Sequence, residues 1–160
     1  MNIAVVDDEE IIRQQIHGFI KKQKPESEIS DFSTGEGLLA AKADFDIIFL
    51  DIQMEGMGGI EAARILRQRN VDAVLVFITG IREYVFEAFD VSAFHYLLKP
   101  IAEQKFMEVL ERAVDEAGRR KGQKEQQIFI RTRNQGYTLN LSSILYIENR
   151  GKKVEIHTTD

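Results

Sequence analysis

A short apolar run that ends on a carboxylate constrains the fold of this chain more than any other feature. Residues 47–50 carry only large apolar side chains, and Asp51 follows at once. A continuous apolar run of this length is typical of a strand that is buried on both faces of a sheet. Residues 52–59 contain three glycines, which let backbone come close to whatever the carboxylate holds. The pattern therefore predicts a buried strand with a polar site at its carboxyl end.

Short apolar runs and amphipathic segments alternate through the first 118 residues. Four further runs predict strands at 2–6, 28–32, 73–78 and 94–98, and each strand is followed by a segment with helical periodicity. The last helix has the clearest pattern, because apolar residues within 106–117 recur every three or four positions. Five strands that alternate with five helices predict an α/β fold, a doubly wound five-stranded parallel sheet covered on both faces.

Reactive side chains follow four of these strands: Asp7 and Asp8, Asp51, Thr79, and Lys99. Because the carboxyl ends of parallel strands meet at one edge of a sheet, we expect these side chains to converge. Three carboxylates in one place repel each other and favour a bound cation. The chain has no cysteine, and oxygen ligands favour Mg²⁺ or Mn²⁺ over zinc. The sequence therefore predicts a divalent metal site that includes Asp51.

This set of groups suits phosphoryl transfer to a carboxylate. A protein carboxylate can act as a nucleophile and form an aspartyl phosphate. Lys99 would bring positive charge to the phosphoryl oxygens and Thr79 a hydroxyl donor, which are the contributions that this chemistry needs. Simpler roles stay open at this point. Asp7 and Asp8 also suit the cap of the first helix, and Lys99 also suits a strand end whose ammonium reaches solvent.

The order of these residues on successive strand ends resembles the receiver domain of two-component response regulators. The resemblance covers residues 1–118 and rests on four short motifs: Asp7-Asp8, Asp51, Thr79-Gly80 and Lys99-Pro100. It implies a flavodoxin-like, CheY-like fold in which Asp51 accepts a phosphoryl group from a histidine kinase. It also implies that Mg²⁺ is bound by Asp8, by Asp51 and by the backbone carbonyl of Gln53, with Asp7 acting through water.

The resemblance further implies a conformational switch. Thr79 would move onto the phosphoryl oxygens, and Tyr96 would rotate inward behind it. These movements would act on the face made by the fourth helix, the fifth strand and the fifth helix, where such domains often form homodimers. Lys99-Pro100 resembles the cis peptide bond of the family, a conformation essentially restricted to X-Pro bonds.

An enzyme is the main alternative function. A Mg-dependent phosphatase or hydrolase would also use Asp51 as its nucleophile, but haloacid-dehalogenase-type enzymes have a second aspartate two residues later, where this chain has Gln53. We therefore expect a phosphoacceptor that loses phosphate slowly, and not a turnover enzyme. A receiver that only binds other proteins is disfavoured by the complete set of reactive groups. Two positions depart from the family pattern: Glu55 replaces a common proline, and Gly58 a common asparagine.

Charge and pattern change after residue 118. The first 118 residues contain 12 Lys and Arg against 22 Asp and Glu, whereas the remaining residues contain 9 against 4. Residues 119–127 are basic and indicate a linker or helix end. Alternating runs in residues 128–160 predict short antiparallel strands. This segment resembles the incomplete start of a LytTR-type DNA-binding domain, which implies that the complete output domain binds DNA.

The tail at 128–160 is too short to bury a core of its own. We therefore expect its apolar strand faces to be covered by the receiver or by a second copy of the chain, which would give a second homodimer interface. The longest apolar run, 73–78, is too short to cross a bilayer, and the N-terminus lacks a signal-peptide pattern. We therefore expect a cytoplasmic protein with no membrane partner.

Overall fold

Strands and helices alternate in the first part of the chain. The structure is a computed structural model that describes residues 1–81, 84–132, 135–151 and 153–159. The elements of this part are β1 (Asn2–Val6), α1 (Glu10–Gln23), β2 (Glu28–Phe32), α2 (Gly35–Ala40), β3 (Ile47–Leu50), α3 (Gly59–Gln68), β4 (Val74–Thr79), α4 (Val85–Asp90), β5 (His95–Leu98) and α5 (Glu103–Glu125).

These five strands form one parallel sheet in the order β2-β1-β3-β4-β5. Val6 lies beside Phe32 on one side and Leu50 on the other, and Thr79 lies beside Leu98. The order of connection reverses between β1 and β3, where sheets of this kind open a crevice beyond the carboxyl ends of the strands. The predicted fold class is therefore confirmed, and the crevice lies at the edge where the sequence places its reactive side chains.

Each face of the sheet has its own apolar core. Successive strand residues point to opposite faces, so Phe49 packs with residues of α1 and α5, whereas Ile48 packs with residues of α2, α3 and α4. The rings of Phe49 and Phe106 have centroids 5.0 Å apart. All residues of β3 and β4 are buried. Burial on both faces explains why these strands read as unbroken apolar runs.

Two helices differ in length from the sequence expectation. α2 ends at Ala40 instead of continuing to residue 43. α5 continues to Glu125, through most of the segment that was expected to be a linker or helix end. That segment contains Arg, Lys, Gln and Glu, which are good helix formers, and its Gly122 does not interrupt the helix. None of the helices in the described part of the chain combines the length and apolarity needed to cross a bilayer.

The chain divides into two units, Met1–Ala117 and Gly118–Asp160. In the second unit, β6 (Gln127–Arg131) pairs with β7 (Gly136–Asn140), and β8 (Ile144–Arg150) pairs with β9 (Lys153–Thr158). Both pairs are antiparallel, so the predicted antiparallel segment is confirmed. The functional domain boundaries at 118 and 128 stay predictions.

Apolar side chains of the second unit are exposed in the single chain. Phe129, Leu145, Ile147 and Val154 are between 56 and 69% exposed. The expectation that the receiver or a second copy of the chain covers the strand faces of the tail stays a prediction.

Candidate functional site

The carboxyl ends of the strands bring the predicted site residues to one edge of the sheet. Backbone hydrogen bonds continue the ladder past the strand ends, because the Asp51 N–H donates to the Val6 carbonyl at 2.8 Å and the Lys99 N–H donates to the Thr79 carbonyl at 2.8 Å. Asp7, Asp51 and Thr79 are each at most 4% exposed. The backbone of Asp51 and Lys99 is therefore held in place by the sheet, and the Asp7, Asp51 and Thr79 side chains are buried.

Four carboxylates gather at this edge of the sheet, and three of them contact one amine. The acidic pocket consists of Asp7, Asp8, Glu9 and Asp51, and each offers an oxygen within 4.8 Å of the others. Lys99 Nζ lies 2.8 Å from Asp51 Oδ2, 2.9 Å from Asp7 Oδ2 and 2.9 Å from Glu9 Oε1. The Lys99 side chain is only 14% exposed. The structure therefore places Asp7, Asp8, Asp51 and Lys99 together, and it adds Glu9 to the group.

The electrostatics of the pocket follow from burial and from this amine. Burial raises the pKa of Asp7 above its usual value of 3.8, although the ion pair with Lys99 and a hydrogen bond from the Glu9 N–H act in the opposite direction. Burial acts to lower the pKa of Lys99, but its hydrogen bonds to Asp51 and Glu9 and its ion pair with Asp7 outweigh that effect and raise the pKa. Lys99 therefore stays charged, and one ammonium faces several carboxylates.

Replacing Asp7 with asparagine is expected to raise the melting temperature at pH 7 by a few degrees in metal-free buffer. Because the pKa of Asp7 is raised in the folded state, its contribution to stability is present at low pH and is lost as the pH rises through the folded-state pKa. Lys99 keeps Glu9 and Asp51 as partners in the variant. The advantage of Asp7→Asn should therefore shrink as the pH falls through the raised folded-state pKa towards the ordinary aspartate value of about 4.

Melting curves of the two proteins between pH 3 and pH 8 would check this expectation. An advantage that does not change with pH would contradict it, as would a variant that melts lower than the wild type at pH 7.

The donor set of the pocket suits a hard divalent cation. Carboxylate oxygens are the ligands that Mg²⁺ prefers, and the negative charge of the pocket exceeds what Lys99 can neutralise.

Asp8 is exposed, and its Oδ2 accepts a hydrogen bond from the Glu55 N–H at 3.3 Å. The proline that is common in the family at position 55 has no N–H, so it could not donate this hydrogen bond to Asp8. Gln53 is exposed, and its N–H donates to Asp51 Oδ1 at 3.2 Å.

The two predicted switch residues lie on β4 and β5. The Thr79 hydroxyl is buried and has no hydrogen-bond partner among the described residues. The Tyr96 hydroxyl donates to the carbonyl of Ile81, just after β4. Buried hydroxyls nearly always have a partner, so Thr79 is a donor without an acceptor at the carboxyl end of β4. The peptide bond between Lys99 and Pro100 is cis.

Two contributors to the site were absent from the sequence prediction. Glu9 contacts Lys99, and its position directly after Asp7 and Asp8 was the available signal. Arg13 donates to the Asp7 carbonyl at 2.6 Å and to the Asp8 carbonyl at 3.2 Å. No local pattern marks Arg13, because only the packing of α1 turns its guanidinium back towards the loop that follows β1.

Comparisons with known proteins identify relatives of the chain. A model of the response regulator receiver domain matches residues 3–111. The transcriptional regulatory protein BtsR of Escherichia coli is 35% identical over 114 residues, which are 70% of this chain and 47% of BtsR. The sensory transduction protein LytT of Oceanobacillus iheyensis is 25% identical over 163 residues, which are 98% of this chain and 66% of LytT.

The crystal structure of the response regulatory domain of protein mrkE from Klebsiella pneumoniae has a similar fold. Its TM-score is 0.70 at 30% identity, and the match covers 74% of this chain and 99% of that one. The chain spans about half the length of the first curated relatives that it matches. These relatives are signalling regulators, and they give no support to the phosphatase alternative.

Proposed function

The chain belongs to the response regulator receiver domain family, and we propose that Asp51 is its phosphoacceptor, to which a histidine kinase transfers a phosphoryl group. The distance of 2.8 Å between Lys99 Nζ and Asp51 Oδ2 carries this proposal. It sets a fixed positive charge beside a buried carboxylate at the end of a central strand, where charge develops during the transfer.

In the proposed reaction, an Asp51 carboxylate oxygen attacks the phosphorus of the donor. The donor is a phosphorylated histidine side chain of the kinase. The bond between phosphorus and the imidazole nitrogen breaks, the electron pair of that bond stays on the nitrogen, and the nitrogen takes up a proton from water. The product is an acyl phosphate on Asp51. Lys99 offsets charge on the phosphoryl oxygens, and the Thr79 hydroxyl donates to one of them. Positioning and charge neutralisation supply most of the catalysis in phosphoryl transfer.

We further propose that Mg²⁺ or Mn²⁺ belongs to this site. Asp8, Asp51 and the backbone carbonyl of Gln53 would hold the ion, with Asp7 acting through water. When bound, the ion supplies positive charge that offsets the pocket carboxylates and the phosphoryl oxygens. Arg13 supports the site from the protein side, because it fixes the two carbonyls that follow β1.

The protein is proposed to be a signalling switch and not a turnover enzyme. A hydrolase with an aspartyl phosphate needs a second acid and base beside the nucleophile, and position 53 has the uncharged side chain of Gln53. The phosphorylated form should therefore accumulate.

Incubation with acetyl phosphate tests the proposal, with intact mass and released phosphate followed in parallel. We expect one phosphate per chain in the presence of Mg²⁺ and none in excess EDTA. Rapid release of inorganic phosphate without an adduct would favour a hydrolase. The absence of an adduct in every condition would instead favour a domain that only binds other proteins.

The switch is proposed to run through Thr79 and Tyr96 to the face made by α4, β5 and α5. Phosphorylation would give the Thr79 hydroxyl the acceptor that it lacks among the described residues. The Tyr96 hydroxyl, on β5, donates a hydrogen bond to the carbonyl of Ile81, just after β4. A movement of the segment after β4 would therefore displace Tyr96 and β5. A homodimer through this face, or through the tail, is proposed as the phosphorylated state.

Replacing Thr79 with valine is expected to separate phosphorylation from switching. Valine fills the same space without the unpaired hydroxyl, so the free energy of unfolding should rise by roughly 1 kcal/mol. The phosphate adduct should still form, because Asp51 and Lys99 are unchanged. The change in amide exchange of α4 and β5 on phosphorylation should be lost. A variant that is less stable, or one that still responds in α4 and β5, would contradict this account.

The regulatory output is proposed from the relatives. The names of BtsR and LytT describe a transcriptional regulatory protein and a sensory transduction protein. We propose that the full regulator binds DNA through a complete output domain, of which residues 128–160 are the beginning.

A further inference from the structure

Glu36, in the first turn of α2, contacts the loop between β3 and α3, residues 52–58. Its Oε1 accepts a hydrogen bond from the Met57 N–H at 3.0 Å. The preceding Gly56 has φ of +81°, and a Cβ built on it would lie 3.0 Å from Glu36 Oε1. A Cβ on Gly35 would lie 2.9 Å from the Met57 carbonyl oxygen. The start of α2 is therefore packed directly against this loop at the point where it turns.

Alternate backbone amides of the loop donate to carboxylates from three places in the chain: just after β3, between β1 and α1, and in α2. The pairs are Gln53 N–H with Asp51 Oδ1 at 3.2 Å, Glu55 N–H with Asp8 Oδ2 at 3.3 Å, and Met57 N–H with Glu36 Oε1 at 3.0 Å. Asp51 and Asp8 are proposed metal ligands, so their carboxylates would both bind the ion and accept hydrogen bonds from the loop. Glu36 lies outside the acidic pocket, and its bond to the loop is independent of the ion.

We propose that Glu36 is a positioning residue that keeps loop 52–58 in the arrangement that binds the divalent metal. The inference rests on the proposed function, because it concerns the same metal site. The loop carries Gln53, whose carbonyl is a proposed ligand. Apparent affinity falls in proportion to the fraction of molecules in the competent arrangement. Loss of one hydrogen bond of this kind should weaken Mg²⁺ binding by roughly two- to tenfold.

Calorimetric titration with Mg²⁺, without any phosphoryl donor, tests this inference on the full chain. Glu36→Ala should raise the Kd by roughly two- to tenfold. Glu36→Gln should stay within about twofold of the wild type, because its amide oxygen can still accept from the Met57 N–H. Glu61→Ala is the matched control, since Glu61 is also an exposed acidic residue in the first turn of a helix. The control should bind Mg²⁺ as the wild type does.

Amide hydrogen exchange of the metal-free protein gives a second readout. Exchange at Met57 should be faster in Glu36→Ala than in Glu36→Gln, while the melting temperature changes little. A Glu36→Ala protein that binds Mg²⁺ with wild-type affinity would overturn this inference but not the proposed function. An equal loss in Glu36→Gln would also overturn it, because charge and not the hydrogen bond would then set the affinity. A wild-type protein that binds no Mg²⁺ would overturn the proposed function and this inference with it.

Discussion

Replacing Asp51 with asparagine is expected to abolish the phosphate adduct completely. The variant keeps the shape of the side chain but lacks the anionic oxygen that attacks phosphorus. The fold should survive, because Lys99 keeps Asp7 and Glu9 as partners. Intact mass after incubation with acetyl phosphate and Mg²⁺ measures the adduct, and a melting curve confirms that the variant is folded.

Asp46→Asn is the matched control for this result. Asp46 directly precedes β3, whereas Asp51 directly follows it. Its Oδ2 accepts a hydrogen bond from the Asn2 backbone N–H at 2.8 Å, a bond that asparagine can also accept. The control should carry phosphate as the wild type does. An Asp51→Asn protein that still gains a phosphate would place the acceptor elsewhere in the chain.

Replacing Gly59 with alanine should cost about 3 kcal/mol of unfolding free energy or more, or prevent folding. An added Cβ would lie 2.0 Å from the Asp51 carbonyl oxygen and 2.9 Å from its carbonyl carbon. The obstacle is backbone and not a flexible side chain, so α3 would have to move away from β3. The Gly59 N–H also bonds the Ile52 carbonyl at 2.9 Å, and that bond closes the loop beside the acceptor.

Gly18→Ala is the control for this substitution. Gly18 is exposed in α1, and nothing lies within 4 Å of a Cβ built there. Alanine should therefore stabilise the protein by about 0.5–1 kcal/mol, as expected for an open helix position. Urea unfolding of the three proteins would measure both effects. A Gly59→Ala protein as stable as the wild type would mean that the start of α3 is not packed tightly against Asp51.

The strand ends could be predicted because their positions follow from the fold alone. Unbroken apolar runs indicated a parallel sheet, and a parallel sheet brings Asp7, Asp51, Thr79 and Lys99 to one edge whatever the detailed packing. The antiparallel strands of the tail were predictable in the same way, from the alternation of apolar residues.

Contacts that depend on side-chain direction were not predictable from pattern. The bond from the Met57 N–H to Glu36 joins a short helix to a loop, and nothing in either segment encodes the other. Arg13 is similar, because its role depends on how α1 lies on the sheet. The length of α5 was missed for a different reason. The basic, polar character of residues 119–127 indicated a linker or helix end, yet the strong helix formers there outweigh the cost of about 1 kcal/mol for Gly122.

Chemical trapping of the phosphorylated residue tests the central claim most directly. Borohydride reduces an acyl phosphate on aspartate to homoserine, and fragmentation of the peptides that span β3 and the end of β1 locates the modified position. We predict homoserine at Asp51 alone, after treatment of the wild-type chain with acetyl phosphate and Mg²⁺. Homoserine at Asp7, Asp8 or Asp46 with an unmodified Asp51 would contradict the account.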